Sequence, residues 1–270
     1  MIPVPNTKFL FAALSTFSAA TVASAQPHVG DVFLAVEGGR IVSGLIPEGG
    51  GLAEIPHRVF RSDLGEIDPN FSDEPGFDNL PGTFSPSSAL GVRLRGPLRV
   101  WNGGDFSTIA ESRMTVAFST LSIETPPDDR IVQGFTLPVG SNGEWHRHLE
   151  YTLQAPATDG VYLLELDVFS TDPAIGTCDP LWLVFNQHAA ERDVQAALAW
   201  TSCTLAGECV CDPDANQDGN VDQGDVDYLV NVIAGGSNPA VFDPDFNRDG
   251  NVDQGDVSSL LDVVAGGACP

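Results

Sequence analysis

A twelve-residue pattern of oxygen-bearing side chains occurs twice near the C-terminus, and its two copies lie 31 residues apart. Each copy places Asp or Asn at positions 1, 3, 5, 7, 9 and 12 and glycine at position 6. Calcium loops use side-chain oxygens at this spacing, the backbone carbonyl of position 7 and a sharp turn at the glycine. The sequence therefore predicts two bound calcium ions. The predicted ligand residues are Asp214, Asn216, Asp218, Asn220, Asp222 and Asp225 in the first loop and Asp245, Asn247, Asp249, Asn251, Asp253 and Asp256 in the second.

Each calcium loop is followed by a helical pattern but is not preceded by one. Apolar residues recur at helical spacing after both loops, whereas the segments before the loops are rich in turn-forming residues. The pattern consists of Val226, Leu229, Val232 and Ile233 after the first loop and of Val257, Leu260, Leu261 and Val264 after the second. The unit is thus a loop followed by one helix. In this arrangement residues 212–270 resemble the dockerin type I repeat, a tandem pair of such units.

The resemblance implies a docking function. Dockerins bind cohesin domains and carry secreted proteins, often polysaccharide-degrading enzymes, into larger assemblies. Recognition in that family depends on loop positions 10 and 11, which here are Gln223-Gly224 and Gln254-Gly255 rather than the Ser-Thr pair of clostridial dockerins. The expected partner is therefore a cohesin-like or cell-surface protein of unspecified identity. The alternative is a calcium-stabilised tail that has no partner.

Charge supports the calcium prediction and excludes some partners. The chain has 12 basic and 37 acidic residues, a net charge of −25, which argues against binding to nucleic acid or to an anionic membrane. Twelve aspartates lie in residues 212–270. Without cations these carboxylates would repel one another, so we expect calcium binding to be coupled to folding and the calcium-free module to be largely disordered.

The N-terminus has the features of a secretory signal. Lys8 precedes an apolar stretch, and Ala23-Ser-Ala25 provides small residues for cleavage, so residues 1–25 are predicted to be a signal peptide. No second hydrophobic segment of membrane length follows. The mature protein is therefore expected to be secreted, extracellular or held at the cell surface.

Five cysteines agree with an oxidising compartment. Cys178 and Cys203 could form a bridge in the larger domain, and Cys209, Cys211 and Cys269 lie at the two ends of the calcium module. Because five is an odd number, one thiol should remain, and the pairing is not determined by the sequence.

The region before the calcium module is predicted to be mainly β. Short apolar and alternating segments are divided by Gly, Pro and Asn turns, which favours an antiparallel β-sandwich or jelly roll closed by one helix over residues 189–200. The predicted strands cover residues 31–36, 40–46, 58–63, 90–101, 114–123, 132–139, 144–153, 160–169 and 181–185. The predicted organisation is a signal peptide over 1–25, a β-sandwich domain over 26–203, a Cys-containing linker over 204–211 and a dockerin-like module over 212–270.

A second candidate metal site lies in the β region. In an extended segment His146 and His148 share one face, and two imidazoles at this spacing can bind one ion. If the strand over residues 160–169 were adjacent, Glu165 could complete the set, with His28 as a fourth ligand. These ligand types favour zinc over calcium. The alternative is that both histidines lie on the solvated face of an edge strand.

A resemblance to a second family covers most of residues 28–200. It rests on a His soon after the signal, Glu74-Pro-Gly-Phe77, Pro81-Gly-Thr-Phe84, Trp101-Asn-Gly, the His146/His148 segment, Gly160 to Leu166, Thr171-Asp-Pro173 and Asp179 to Asn186. These motifs resemble secreted, zinc-uptake-regulator-repressed proteins with PEP-CTERM anchors. The resemblance implies a link to zinc. The sequence has the calcium repeat where those proteins have an anchor tail, which suggests attachment by calcium-dependent docking.

An enzymatic function is the alternative hypothesis. Because dockerins often belong to polysaccharide-degrading enzymes, the resemblance suggests a glycoside hydrolase. The candidate catalytic carboxylates are Glu150, Glu165 and Asp167. The sequence has no nucleophile elbow, HExxH helix or phosphate loop. Aromatic residues that could be either core or a sugar-binding platform are Trp101, Trp145, Tyr151 and Trp182. We therefore predict a binding protein of uncertain ligand, with a hydrolase or carbohydrate-binding component as the alternative.

Overall fold

The computed structural model describes residues 30–46, 52–208, 212–240, 242–247 and 251–267. Within them the chain is mainly β, as the sequence predicts. The strands are β1 Val32–Glu37, β2 Arg40–Leu45, β3 Val59–Asp63, β4 Phe71–Ser72, β5 Phe77–Asp78, β6 Ala89–Leu94, β7 Arg99–Val100, β8 Thr108–Ile109, β9 Met114–Phe118, β10 Leu121–Glu124, β11 Thr136–Pro138, β12 Glu150–Leu153, β13 Gly160–Ser170 and β14 Leu181–Gln187. The helices are α1 Glu191–Trp200, a π-helix Thr201–Ala206, α2 Gln223–Ile233 and α3 Gln254–Val264.

The strands form three sheets. Their orders are β2-β1-β5, β10-β9-β12-β4 and β11-β6-β13-β14-β3, with β7 and β8 added beside β13. Most neighbours are antiparallel, but β1 pairs with β5 and β14 pairs with β3 in parallel. The predicted all-antiparallel arrangement is wrong at these two pairs, because the chain returns to the sheet through long connections rather than through hairpins.

One apolar core joins the three sheets. Leu34 of β1, Val116 of β9 and Leu164 of β13 are fully buried in the same cluster. Alternation along the strands accounts for this placement, since every second side chain of a strand faces the same way. The largest buried ring is that of Trp145, whose Nε1 donates to the Leu137 carbonyl at 3.1 Å. This bond satisfies the one polar atom of the indole.

The helix predicted over residues 189–200 is present as α1 and packs on the opposite face of β13 and β14. Val194 and Ala197 are its buried residues, and they join a second cluster with Leu163 and Val184. The π-helix continues directly from α1. Its end is held by Arg58, whose Nε donates to Glu208 at 3.0 Å.

The predicted strand boundaries fail where the chain turns within an apolar run. The segment 114–123 is a hairpin of β9 and β10, and Ser119 at its turn has a φ of 57°. In the segment 144–153 only β12 is regular strand. The segment 65–88, in which no strand is predicted, contains β4 and β5. These strands have two residues each, too few to produce a sequence pattern.

The structure excludes one of the disulfide pairings that the sequence allows. Cys178 is a free, buried thiol, whereas Cys203 is disulfide-bonded. A bridge between these two residues is therefore wrong. Cys178 instead accepts a hydrogen bond from the Val168 backbone N–H at 2.9 Å, inside the core. Cys209, Cys211 and Cys269 lie outside the described residues, as does the predicted signal peptide.

In the C-terminal region, α2 and α3 pack together around a small core of their own. Leu229 and Leu260 are fully buried there and are equivalent residues of the two repeats. Among the described residues, no helix has the length and apolar character needed to cross a membrane.

Candidate metal centre and calcium loops

Three chain segments meet at the two histidines predicted to bind metal. The backbone of Phe77 exchanges hydrogen bonds with that of Arg147 at 2.8 and 3.0 Å. The Val32 N–H donates to the Gly76 carbonyl at 2.9 Å, which fixes the start of β1 beside the same segment. Because His146 and His148 flank Arg147 in an extended stretch, both side chains lie on one side of it. They point towards Asp31, the residue before β1.

Asp31, His146 and His148 bring three ligand atoms together. The Nε2 atoms of the two histidines are 3.1 Å apart, and the Asp31 Oδ2 is 3.9 Å from the His148 Nε2. One ligand atom from each residue lies within 4.8 Å of the others. In the described part of the chain, no other trio of His, Cys, Asp or Glu side chains meets this condition. The carboxylate is buried and the imidazoles are half-buried.

Acidic groups surround the other nitrogens of the histidines. The His146 Nδ1 is 3.9 Å from the Asp78 Oδ2, which is buried and makes no hydrogen bond in the described structure. The His148 Nδ1 is 3.2 Å from the Asp73 carbonyl and 3.4 Å from the Glu74 Oε1. Each imidazole therefore has an acceptor on its Nδ1 side and faces Asp31 with its Nε2 side.

Gly76 provides the space in which this cluster assembles. A Cβ atom at this position would lie 2.7 Å from the His148 Cε1 and 2.9 Å from the Asp31 Oδ1. The Gly76 N–H also donates to Asp31 at 3.0 Å and to Glu74 at 2.9 Å. Close backbone approach and carboxylate orientation thus both depend on this glycine.

Burial perturbs the Asp31 carboxyl strongly. Its pKa is raised to about 7, first by desolvation and then by the hydrogen bond and charge of Glu74, while the charge of His148 acts in the opposite direction. A cation next to a carboxylate stabilises the charged form and lowers its pKa. The environment of Asp31 is therefore one in which a bound cation would offset an existing electrostatic cost.

The other predicted residues of this site lie elsewhere or outside the described residues. Glu165 is predicted to join the histidines only if its strand is adjacent to theirs. It lies on β13, which is not a neighbour of β12, so this condition is not met. Its carboxylate pairs with Arg95 at 2.9 Å beside a cavity of about 340 Å³. The carboxylate that lies beside the two histidines is that of Asp31 and not that of Glu165. His28 is outside the described residues and remains a prediction.

Of the carboxylates considered for a hydrolase, Glu165 and Asp167 on β13 share Arg95 as a partner, whereas Glu150 is on another strand. Asp167 is buried and pairs with Arg93 at 2.7 Å and with Arg95 at 3.1 Å. Glu150 is exposed on β12. Asp167 is thus occupied by structural ion pairs.

Hydrogen bonds from backbone N–H groups to side-chain oxygens shape the first predicted calcium loop. Asp214 accepts from the Asp218 and Gly219 N–H groups at 3.1 and 2.9 Å, and Asn216 accepts from the Asp218 N–H at 2.8 Å. Backbone N–H groups thus hold the oxygens of positions 1 and 3 within the loop. Position 12, Asp225, is fully buried and accepts from the backbone of residues 216 and 222 at 3.1 and 2.8 Å.

The second loop reproduces this geometry where it is described. Asp256 is fully buried and accepts from Asn247 at 3.0 Å and from Asp253 at 2.8 Å. Asp222 and Asp253 are equivalent N-caps of α2 and α3, with φ of −150° in both and ψ of −166° and −163°. Asp249, also predicted to be a calcium ligand, lies outside the described residues. Of the other predicted ligands, Asn220 and Asn251 are exposed at position 7 and Asp245 occupies position 1.

Sequence reasoning found the histidine pair and both loops but did not single out Asp31, Asp78 or Gly76 for this site. Asp31 and His146 are far apart in the chain, so no local spacing joins them. The sequence signal for this part of the site is Gly76 itself, which lies between Pro75 and Phe77 in a segment that carries the resemblance to the second family.

Comparison with known proteins adds little. No protein-family model matches the chain, and no curated protein matches it. A solved structure with partial likeness is a family 123 glycoside hydrolase from Clostridium perfringens, studied for glycolipid glycan hydrolysis. It is 11% identical, with a TM-score of 0.25 over 49% of this chain. The match spans only 23% of the hydrolase chain and carries no argument about function.

Proposed function

We propose that this chain is a secreted binding protein with two parts. Its C-terminal loop–helix pair, in residues 212–270, binds two calcium ions and docks onto a cohesin-like or cell-surface protein. The preceding β domain, in this proposal a β-sandwich, is the cargo that the calcium module attaches. Catalysis is not required by this function.

The observation that carries the proposal is the repetition of one loop geometry at an interval of 31 residues. Asp225 and Asp256 are fully buried acidic residues at equivalent positions, each held by two backbone N–H groups. Burying a carboxylate is costly unless positive charge or strong hydrogen bonds compensate it. The two backbone hydrogen bonds supply part of that compensation, and a hard cation with oxygen ligands would add to it at position 12 of a calcium loop.

Exposed apolar residues favour docking over a purely structural tail. Val230 and Leu261 occupy equivalent positions on α2 and α3, and each is 47% exposed. Val221 and Val252 form a second equivalent pair, 48% and 49% exposed. Single exposed apolar residues are common on protein surfaces, but their repetition at equivalent positions of both repeats supports a binding surface.

Calcium binding is tested by titrating the calcium-free full chain in a calorimeter while following helix content by circular dichroism. Two ions should bind per chain, with a gain of helix signal, because loop closure fixes the N-termini of α2 and α3. Asp225→Asn should remove one ion, and Asp227→Asn, an exposed substitution on the same helix, should remove none. Unchanged helix content in excess chelator would contradict the coupling.

Docking is tested separately with a Val230→Asp, Leu261→Asp double variant. This variant retains all calcium ligands, so it should still bind two ions. Calcium-dependent binding to the surface fraction of the secreting cells should be lost. If the double variant and the wild type bind that fraction equally, these residues do not form the docking surface. If neither binds, the module is a structural tail.

A further inference from the structure

We propose that Asp31, His146 and His148 form a zinc site of the β domain, distinct from the calcium loops. The site joins the residue before β1 to the segment that precedes β12. Its ligand atoms are the Asp31 Oδ2 and the Nε2 atoms of both histidines. Asp78 and Gly76 are positioning residues that hold these ligands in place without contacting the ion.

The distance between the two histidines fits a shared ion. Two nitrogens bound tetrahedrally to zinc at about 2.0–2.1 Å lie about 3.3 Å apart. The observed separation of the Nε2 atoms of His146 and His148 is 3.1 Å. Asp31 Oδ2 is 3.9 Å from the His148 Nε2, and all three ligand atoms lie within 4.8 Å of one another, so the carboxylate would have to move closer to the histidines to share the ion.

The surroundings of the imidazoles assign their ligand atoms. His148 Nδ1 lies 3.2 Å from the Asp73 carbonyl and 3.4 Å from the Glu74 carboxylate, two acceptors that suit this nitrogen as a donor and the Nε2 atom as the metal ligand. His146 Nδ1 lies 3.9 Å from the buried Asp78 Oδ2, so a carboxylate is also on the Nδ1 side of this ring. In the proposed site both Nε2 atoms would direct lone pairs at the ion. Carboxylates behind histidine ligands fix tautomers and orientations in this way at metal centres.

The acidic surroundings of the site favour a bound cation. Asp31, Asp78 and Glu74 surround the two imidazoles, and Asp31 and Asp78 are almost completely buried. Among the described residues, Asp78 and Glu74 form ion pairs with histidine only and with no arginine. Buried carboxylates are retained when they are paired or when they bind or orient metal ligands. A divalent cation bound by Asp31 and the two histidines would place positive charge among these carboxylates.

The ligand types select zinc over calcium. Calcium takes oxygen ligands in high number, whereas two imidazoles and one carboxylate are a ligand set typical of zinc. Three protein ligands leave a coordination position for water or another ligand. The zinc site and the calcium loops therefore bind different ions and are independently testable in the same chain.

The experiment uses the full chain with calcium in excess, so that the loops are saturated and cannot take up zinc. The protein is loaded with zinc, dialysed and measured for metal content, and zinc affinity is determined by competition with a fluorescent chelator. Wild type should retain one zinc per chain. His148→Ala and Asp31→Asn should each weaken zinc binding at least about 100-fold, because each removes a direct ligand.

Two matched variants control for general effects. His188→Ala removes a histidine that also faces an aspartate, Asp159 at 3.3 Å, but lies away from the site. Glu165→Gln removes the carboxylate that pairs with Arg95. Both should bind zinc as the wild type does. Asp78→Asn should weaken binding about 10–100-fold without changing stoichiometry, since it acts through His146.

Cobalt substitution provides a readout that a structural effect would not produce. Cobalt in the wild type should show visible absorption typical of low coordination with nitrogen and oxygen ligands. That spectrum should be absent in His148→Ala while circular dichroism of the β domain is retained. Wild-type protein that holds no zinc after dialysis would overturn the proposal, as would zinc retention by a folded His146→Ala, His148→Ala double variant. Neither result would bear on calcium docking.

Discussion

Replacing Gly76 with alanine should abolish tight zinc binding without removing any ligand. The added Cβ would lie 2.7 Å from the His148 Cε1 and 2.8 Å from its Nδ1. The backbone of Gly76 is outside the left-handed region, so alanine is compatible with its conformation. The fold should therefore survive. The strain should be relieved by outward rotation of His148, whose side chain is 28% exposed.

The magnitude follows from the displacement that relief requires. His148 must retreat by about 0.7 Å to restore an ordinary contact of 3.4 Å from its present 2.7 Å. Metal–ligand distances tolerate deviations of only about 0.2 Å. The variant is therefore expected to lose His148 as a ligand. We expect affinity to fall at least about 100-fold, which corresponds to about 2.8 kcal/mol of binding free energy.

The assay is chelator competition for zinc, accompanied by thermal unfolding of the metal-free protein. Gly104→Ala is the matched control, because this exposed glycine also has an ordinary φ and a Cβ there would meet only the Asn102 Oδ1 at 3.7 Å. Gly104→Ala should bind zinc as the wild type does. A folded Gly76→Ala protein with wild-type zinc affinity would show that His148 does not need this clearance, and the inferred ligand geometry would be wrong.

Further predictions concern the core and the end of the π-helix. Cys178, whose pKa is raised to about 12 by burial, should resist alkylation at pH 8 in the native protein and react after denaturation. The pKa of this thiol in the unfolded chain is lower, about 8.5, so the stability that its neutral form contributes is complete below pH 8.5 and is lost as the pH rises towards 12. In chemical denaturation, Cys178→Ser should remove this part of the pH dependence of the free energy of unfolding. Arg58→Ala should lower the free energy of unfolding by about 1–3 kcal/mol, since it removes charge-assisted hydrogen bonds to the half-buried Glu208. Asp193→Ala, on α1 and away from this contact, should change the stability little in the same unfolding assay.

The sequence predicts those parts of the fold that have a long local pattern. β13 and β14 match their expected segments closely, because both are long and predominantly apolar, with only Glu165 and Asp167 as charged residues in β13. The sequence does not predict the hairpin between β9 and β10, because Ser119 at its turn has a positive φ, a conformation that Gly or Asn would indicate more clearly than Ser. The parallel pairing of β1 with β5 was missed for a different reason. It depends on a connection that passes through other elements, which local patterns do not describe.

The proposed calcium loops and the proposed zinc site differ in whether their ligand residues are close together in the sequence. This difference yields a final prediction. Calcium ligands are contiguous in sequence, so their spacing alone identifies them, whereas Asp31 and His148 are brought together by the pairing of separate segments. If the two sites are chemically distinct, selective removal of either ion should affect a different part of the chain. A calcium-selective chelator should reduce the helix signal of α2 and α3 and leave the zinc content unchanged. A zinc-selective chelator should lower the unfolding temperature of the β domain and leave that helix signal intact. Loss of both signals with either chelator would show that the two sites depend on each other and would refute their independence.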